Sequence, residues 1–386
     1  MISTAQFIRV ISATITTMIM VVAPLGAAQE TSLSSLKEEV IQLSVKTAQG
    51  PVTLETTVFK PEGQGPFPLL IMNHGKELGE PAQQSRARFV ALSREFVKRG
   101  YAVVIPMRQG FSKSGGSFLH AGCNILDTGL LQAGDIKAVL TAMRAQPWVD
   151  AKHIVIGGQS FGGLAVLALG TEPLPGVKGL INFAGGVRVR DGGCDWKARL
   201  EMAVAFYGMK NRLPSLWFYG ENDSLFDTRL AERLQQAYTG NGGQAELVNV
   251  GAFRQDAHRL AISHHSVAIW WPATERFLRQ VGMPTSESVA IAPAVAPVQV
   301  ASQPEAAAQL SAQGQAGFQK FLSQPFPRAF AVSASGAWGW AEDGDDPAET
   351  ALQQCQKHAK DTCQLYAVND QVVWQAPGAQ LAMVGR

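Results

Sequence analysis

The segment Gly158-Gln159-Ser160-Phe161-Gly162 constrains this chain more than any other. It closes the apolar run His153-Ile154-Val155-Ile156-Gly157, and the small-residue stretch Leu164 to Leu169 after it has helical character. A strand that turns at once into a helix must hold its turn residue in strained backbone. Glycines on both sides remove the side chains that would clash there. Such a turn lifts the serine hydroxyl above the sheet, where a base can reach it. The amide that follows points at the same spot and can hold an oxyanion. Ser160 is therefore the candidate nucleophile and Phe161 a candidate oxyanion donor. The competing reading is a glycine-rich strand–helix turn with an incidental serine.

The body around this segment alternates between two kinds of pattern. Ile41, Leu43 and Val45, then Val52, Leu54, Thr56 and Val58, alternate with other residues on either side of Gln49-Gly50-Pro51, which predicts an antiparallel hairpin with one wet face. Then come continuous apolar strands: Phe67 to Met72, Tyr101 to Ile105, the strand before Ser160, Val177 to Ala184, Leu216 to Tyr219, and Ala245 to Val250. Helical patterns separate them at Ser85 to Arg99, Leu131 to Arg144, Leu225 to Tyr238 and Ser266 to Val281. Strands without polar alternation, spaced by helices, predict an α/β class with a mostly parallel sheet covered on both faces.

Near Met283 the composition shifts. Residues 284–316 are rich in Ala, Pro, Val, Ser and Gln and read as a linker, with a brief helix expected at Glu305 to Leu310. A small α+β domain is expected over 317–386. Its elements are a strand at Arg328 to Ser333, a helix at Pro347 to Ala359, and strands at Gln364 to Val368 and Val372 to Trp374. The acidic run Glu342-Asp343-Gly344-Asp345-Asp346 lacks the ligand order of a calcium loop and reads as a solvated turn.

At the other end, Arg9 precedes the uncharged apolar run Val10 to Leu25 and the small residues Gly26-Ala27-Ala28. This is the pattern of a signal peptide over residues 1–28, cleaved near Ala28, with a mature catalytic domain over 29–283. A retained anchor is the rival, although the run is short for a membrane span. Export to the periplasm or the medium, without stable membrane insertion, follows from the first reading. The four cysteines then predict two disulfides, and proximity favours Cys123 with Cys194 and Cys355 with Cys363 over buried free thiols. No C-x-x-C or histidine pair accompanies them, so no metal is expected. A net charge of +2 with mixed signs argues against a nucleic-acid surface.

Two loops complete the chemistry. Leu216-Trp217-Phe218-Tyr219 runs into Gly220-Glu221-Asn222-Asp223, and Ala245 to Val250 runs into a loop ending at Asp256-Ala257-His258. Together with Asn73-His74-Gly75, Gly158 to Gly163 and Tyr101 to Phe111, these segments resemble the α/β-hydrolase superfamily. The likeness is to its dienelactone hydrolase-like and prolyl oligopeptidase-like members, over roughly residues 40–282. Dienelactone hydrolases proper carry a cysteine where this chain has Ser160. The resemblance implies an acid and then a histidine after the nucleophile. Asp223 takes the first role, with Glu221 as alternative. His258 takes the second, with His264 and His265 as rivals. The second oxyanion amide is expected at Lys76, after Gly75.

The expected activity is hydrolysis of small-molecule carboxylic esters by an exported serine hydrolase without cofactor. Between Ser160 and Asp223 little chain is left over for a lid, which suits an open site. Arg108, Arg188 and Arg190 are either mouth residues favouring an anionic substrate or solvated loop charges. Two other readings stand beside this one. One is a serine peptidase of the prolyl oligopeptidase type. The other is a non-catalytic binding module whose tail stacks sugars on Trp338, Trp340 and Trp374. The sequence does not fix the oligomeric state.

Overall fold

A computed structural model describes residues 36–190, 192–291 and 310–374. The signal-peptide segment, most of the linker and the helix expected from Glu305 lie outside the described residues. The hairpin is present as β1 (Glu38–Thr47) and β2 (Gly50–Phe59), paired antiparallel from end to end. Its polar face does not persist, because β2 is buried from Leu54 onward. There it pairs antiparallel with β4 (Ala102–Pro106).

The sheet has eight strands in the order β1-β2-β4-β3-β5-β6-β7-β8. Besides those named, they are β3 (Phe67–Asn73), β5 (Val149–Gln159), β6 (Val177–Phe183), β7 (Pro214–Tyr219) and β8 (Gln244–Asn249). From β4 to β8 every pairing is parallel. Side chains alternate between two cores along each strand. Leu69, Ile71, Val104, Ile154 and Ile156 face one core, while Leu70, Met72, Val103, Ile105 and Val155 face the other. The first core is covered by α2 (Ile125–Arg144), α3 (Phe161–Leu169), α4 (Trp196–Lys210) and α5 (Thr228–Gly240). The second is covered by α1 (Val90–Val97) and α6 (Val267–Gln280).

The chain leaves β3 for β4 on one side and returns to β5 on the other. The strand order therefore reverses between β3 and β5, the switch point beyond whose carboxyl ends sheets of this class bind their ligands. The ends of these two strands carry Asn73-His74-Gly75 and Gly158-Gln159-Ser160.

Three helices of the body depart from the sequence expectation in ways that bear on the loops above the sheet. Helix α1 begins at Val90 rather than Ser85, because Phe89 takes a left-handed conformation (φ 45°) and residues 85–88 lie outside any helix or strand. Helix α2 begins earlier, at Ile125, where the Asn124 side chain accepts the Asp127 amide. Helix α4 has no expected counterpart. It is capped by Asp195, whose carboxylate accepts the Ala198 amide.

The C-terminal sheet has the order β10-β9-β11-β12, all antiparallel. Its strands are β9 (Arg328–Val332), β10 (Trp338–Glu342), β11 (Gln364–Val368) and β12 (Gln371–Val372). It packs with α7 (Ala312–Leu322), which starts inside the stretch read as linker, and α8 (Pro347–Gln356). Residues 284–291, at the other end of that stretch, lie against the body. The Ser288 and Val289 amides donate to Lys98 O, and Arg99 Nε donates to Thr285 O. Trp338 stacks on Phe330 at 6.0 Å and covers Gly314 and Gly317, so its ring is spent on the core of this unit.

The acidic run Glu342–Asp346 is not a solvated turn. Asp345 accepts the amides of Arg88, Phe89 and Val90 at 2.8, 2.8 and 3.1 Å, at the start of α1. Asp343 accepts the Ser263 hydroxyl and the His264 amide. Unpaired helix-end amides and a carboxylate satisfy each other better than either does with water alone, which draws the loop onto the body. No helix among the described residues is long and apolar enough to cross a membrane.

Cys123 is bonded to Cys194, and Cys355 to Cys363. The first bond joins the residue before the Asn124 cap to the residue before the Asp195 cap, and so fastens the starts of α2 and α4 together. Replacing Cys123 and Cys194 by Ala should lower stability by about 2–4 kcal/mol. Urea denaturation reads this, and an unchanged midpoint would show that packing alone holds the two helix ends.

Candidate active site

Ser160 lies between β5 and α3 with φ 56° and ψ −120°, a conformation a non-glycine residue adopts only under constraint. The constraint comes from backbone packed on every side. A Cβ on Gly158 would lie 2.4 Å from Gly162 O, and one on Gly162 would lie 2.3 Å from Asn73 O. The Ser160 amide donates to Phe183 O on β6, and its carbonyl accepts the Gly186 amide. Phe161 is the first residue of α3, so its amide is one of the four without an acceptor inside the helix.

The chain leaving β3 passes close over this elbow. A Cβ on Gly75 would lie 3.0 Å from Ser160 Cβ. His74 is buried, and its Nδ1 lies 2.7 Å from Gly75 O and therefore carries the proton. Its Nε2 accepts the Arg108 amide at 3.1 Å. Burial first, and then the Arg108 charge, hold His74 well below the usual imidazole range, so the ring is neutral. The Lys76 amide donates to no acceptor among the described residues, while its Nζ bonds Glu77 O and Gly79 O at the surface.

Arg108 is neither a mouth residue nor a solvated charge. It is fully buried, with Nε donating to Gln132 Oε1 at 2.6 Å and Nη2 to His74 O at 2.8 Å. Its guanidinium lies between the rings of Phe111 and Phe161. Burial pushes its pKa down to about 10, against the opposing charge of Asp135. It fastens the chain between β3 and Lys76 from below. Arg188 and Arg190 are exposed.

Asp223 and His258 meet. His258 Nδ1 lies 3.0 Å from Asp223 Oδ2 and 3.1 Å from Oδ1. The Asp223 side chain is fully shielded from solvent, and Oδ1 also accepts the Leu225 and Phe226 amides. Those bonds fix the carboxylate. The cap of α5 is a different residue, Asp227. Glu221 is exposed. His258 sits in a short 3₁₀ turn, Ala257–Arg259. Its carbonyl accepts Gln159 Nε2 at 2.9 Å, so the residue before the serine holds the histidine loop. No hydrogen bond joins Ser160 Oγ to the imidazole among the described residues; such bonds often tighten only with substrate present. His264 and His265 lie toward the C-terminal unit, near Asp343 and Glu342 respectively. His153 pairs with Asp150 at 2.7 Å, far from these loops in the sequence.

One contributor escaped the sequence reading. Asp256 accepts the His258 amide at 2.9 Å, the Ser224 amide at 3.0 Å and the Ser224 hydroxyl at 2.7 Å. It ties the Asp223 turn to the His258 turn. Burial raises its pKa, but the bonds from Ser224 and the His258 amide outweigh that and leave it below the usual range. The only signal was its place two residues before the histidine, which also suits an ordinary loop aspartate. Among the described residues, no group of three or more His, Cys, Asp or Glu is arranged to hold a metal ion.

The model of the X-Pro dipeptidyl-peptidase (S15) family matches residues 49–269, which include Ser160, Asp223 and His258. No curated protein sequence gives a match. Many solved structures share the fold. One, assigned as a dipeptidyl aminopeptidase IV from Bacteroides ovatus, has a TM-score of 0.50 and 17% identity, over 63% of this chain and 36% of its own. An esterase from Pyrococcus furiosus has a TM-score of 0.47 and 16% identity, over 67% and 98%. A protein assigned as a dienelactone hydrolase from Klebsiella pneumoniae has a TM-score of 0.45 and 17% identity, over 63% and 99%. At these identities the likeness is one of fold. By the extent of its family match, this chain belongs to the X-Pro dipeptidyl-peptidase (S15) family of the α/β-hydrolase superfamily.

Proposed function

We propose that the chain is an exported serine hydrolase that cleaves carboxylic esters through an acyl-enzyme on Ser160. The observation that carries this reading is the strained Ser160 elbow beside a shielded Asp223–His258 pair. Ser160 Oγ attacks the ester carbonyl while His258 Nε2 takes its proton. Asp223, on Nδ1, keeps the imidazole in the tautomer whose Nε2 is free to accept, and favours the imidazolium that forms. The Phe161 and Lys76 amides face the oxygen that becomes negative. The tetrahedral adduct collapses, the C–O bond to the alcohol breaks, and His258 gives the proton to the departing oxygen. Water then repeats the sequence on the acyl group and regenerates Ser160. These protein groups and one water supply every step.

Export is supported by the N-terminal pattern and by two disulfides, which suit an oxidising compartment. A peptidase reading has one specific observation in its favour, the family match itself. The same machinery would then act on an amide, with the amine as leaving group. Relative kcat/KM for p-nitrophenyl acetate and for an Xaa-Pro p-nitroanilide separates the two. We expect the ester to be preferred, and preference for the anilide would assign the peptidase.

Ser160→Ala should abolish labelling by a fluorophosphonate probe and lower kcat by about 10³-fold or more. Near-wild-type turnover in that variant would end the assignment. His258→Ala should lower kcat by a similar factor of about 10³. Changes at His264 and His265, whose surroundings are the C-terminal loop, should cost far less. The reverse order would move the base to one of them.

A further inference from the structure

The contacts between the C-terminal unit and the body converge on the two loops that flank Ser160. Asp343 accepts the Ser263 hydroxyl and the His264 amide, the latter at 2.7 Å. Glu342 pairs with Arg254, four residues before His258. Ser263 is buried and is joined to His258 by successive turns. Leu260 N donates to Ala257 O, Ile262 N to Arg259 O, and Ser263 N to Arg259 O. Ser266 Oγ closes the segment on Leu260 O and Ser263 O. A displacement at Ser263 therefore has no slack to absorb it before His258.

The second branch runs to the other loop. Asp345 holds the amides of residues 88–90, and Glu349 accepts the Ser85 hydroxyl at 2.8 Å. Gln84, next in the chain, donates to Gly75 O at 3.1 Å and accepts the Glu77 amide at 2.9 Å. These bonds bracket Lys76. Arg259, beside His258, lines one groove together with Trp338, Trp340, Gln354 and His358 of the C-terminal unit.

We propose that the C-terminal unit is part of the catalytic apparatus, with Asp343 a positioning residue for the His258 loop and Asp345 and Glu349 bracing the Gly75–Lys76 loop. This rests on the serine-hydrolase reading of Ser160 and His258.

The test uses the full chain. Asp343→Ala should lower kcat for p-nitrophenyl acetate by about 10-fold, since misplacement of a base by a fraction of an ångström costs this much or more. KM should stay within about twofold, because substrate contacts are not touched. Active-site titration with the fluorophosphonate should still count full labelling at a slower rate, which separates misplacement from a smaller folded fraction. Asp343→Asn keeps an oxygen for the His264 amide and should restore most of kcat. Hydrogen exchange of residues 257–266 should rise in Asp343→Ala and return in Asp343→Asn. If Asp343→Ala does not fold, Ser263→Ala takes its place, with the same split between kcat and KM expected. An inactive Ser160→Ala beside wild-type kcat in Asp343→Ala would overturn the clamp and leave the serine reading standing. Equal loss in Asp343→Asn and Asp343→Ala would also overturn it. Wild-type turnover in Ser160→Ala would overturn both.

Discussion

One close approach governs the rest of this structure: the backbone of Gly162 against Asn73 O, at the point where β5 turns into α3. With a side chain at Gly162 the helix could not start where it does. With one at Gly158 the turn could not fold back on itself. Those two contacts force Ser160 into positive φ and leave its hydroxyl at the carboxyl end of the sheet. The β3–β5 pairing brings Gly75 against the same residue, because the strand order reverses between them. Everything assigned to chemistry is hung on that crossing: an amide at the start of α3, a second from the β3 loop, and a histidine loop held by the side chain of Gln159.

This part of the molecule was legible from the residues because its rules are local. Gly158 and Gly162 flank a serine at the end of an apolar strand. Asp223 follows a glycine at the end of another. His258 ends the loop after the last strand. For Ser160 a backbone requirement restricts which residues can stand there, and it shows within five positions; for Asp223 and His258 the resemblance supplied the order, and the turn after each strand supplied the place. The parallel pairing of the sheet follows from a similar continuity, since unbroken apolar strands spaced by helices read as strands covered on both faces.

What escaped was set by partners distant in sequence. Asp256 reads as a loop residue until Ser224 is placed beside it. Arg108 reads as a loop charge until Gln132 and the His74 carbonyl close around it; burial of a guanidinium between two aromatic rings leaves no mark in the local pattern. Helix α1 looked longer because Phe89, Leu92 and Phe96 keep helical spacing. Its true start is fixed by Asp345, which lies more than 250 positions away. Helix α4 buries Leu200, Ala203, Val204, Tyr207 and Gly208 at helical spacing, but Met202 and Met209 stand exposed on the same helix and blur the stripe in the sequence.

The acidic loop shows how the same residues take opposite meanings. Carboxylates this close in the chain repel one another, and with water as their only partner they would favour an open, solvated turn. Here each finds a separate donor. Glu342 faces Arg254, Asp343 faces Ser263 and the His264 amide, Asp345 faces three amides of the α1 start, and Asp346 accepts the Glu349 amide as the cap of α8. Burial pushes the Asp345 carboxyl up even against its three bonds. A desolvated carboxylate of this kind is worth holding only where the amides facing it would otherwise be left without partners. Before α1 they would be, because Phe89 in its left-handed conformation supplies no side-chain cap. The helix end and the acidic loop are thus complementary deficits, and their meeting places the C-terminal unit against the loops beside Ser160.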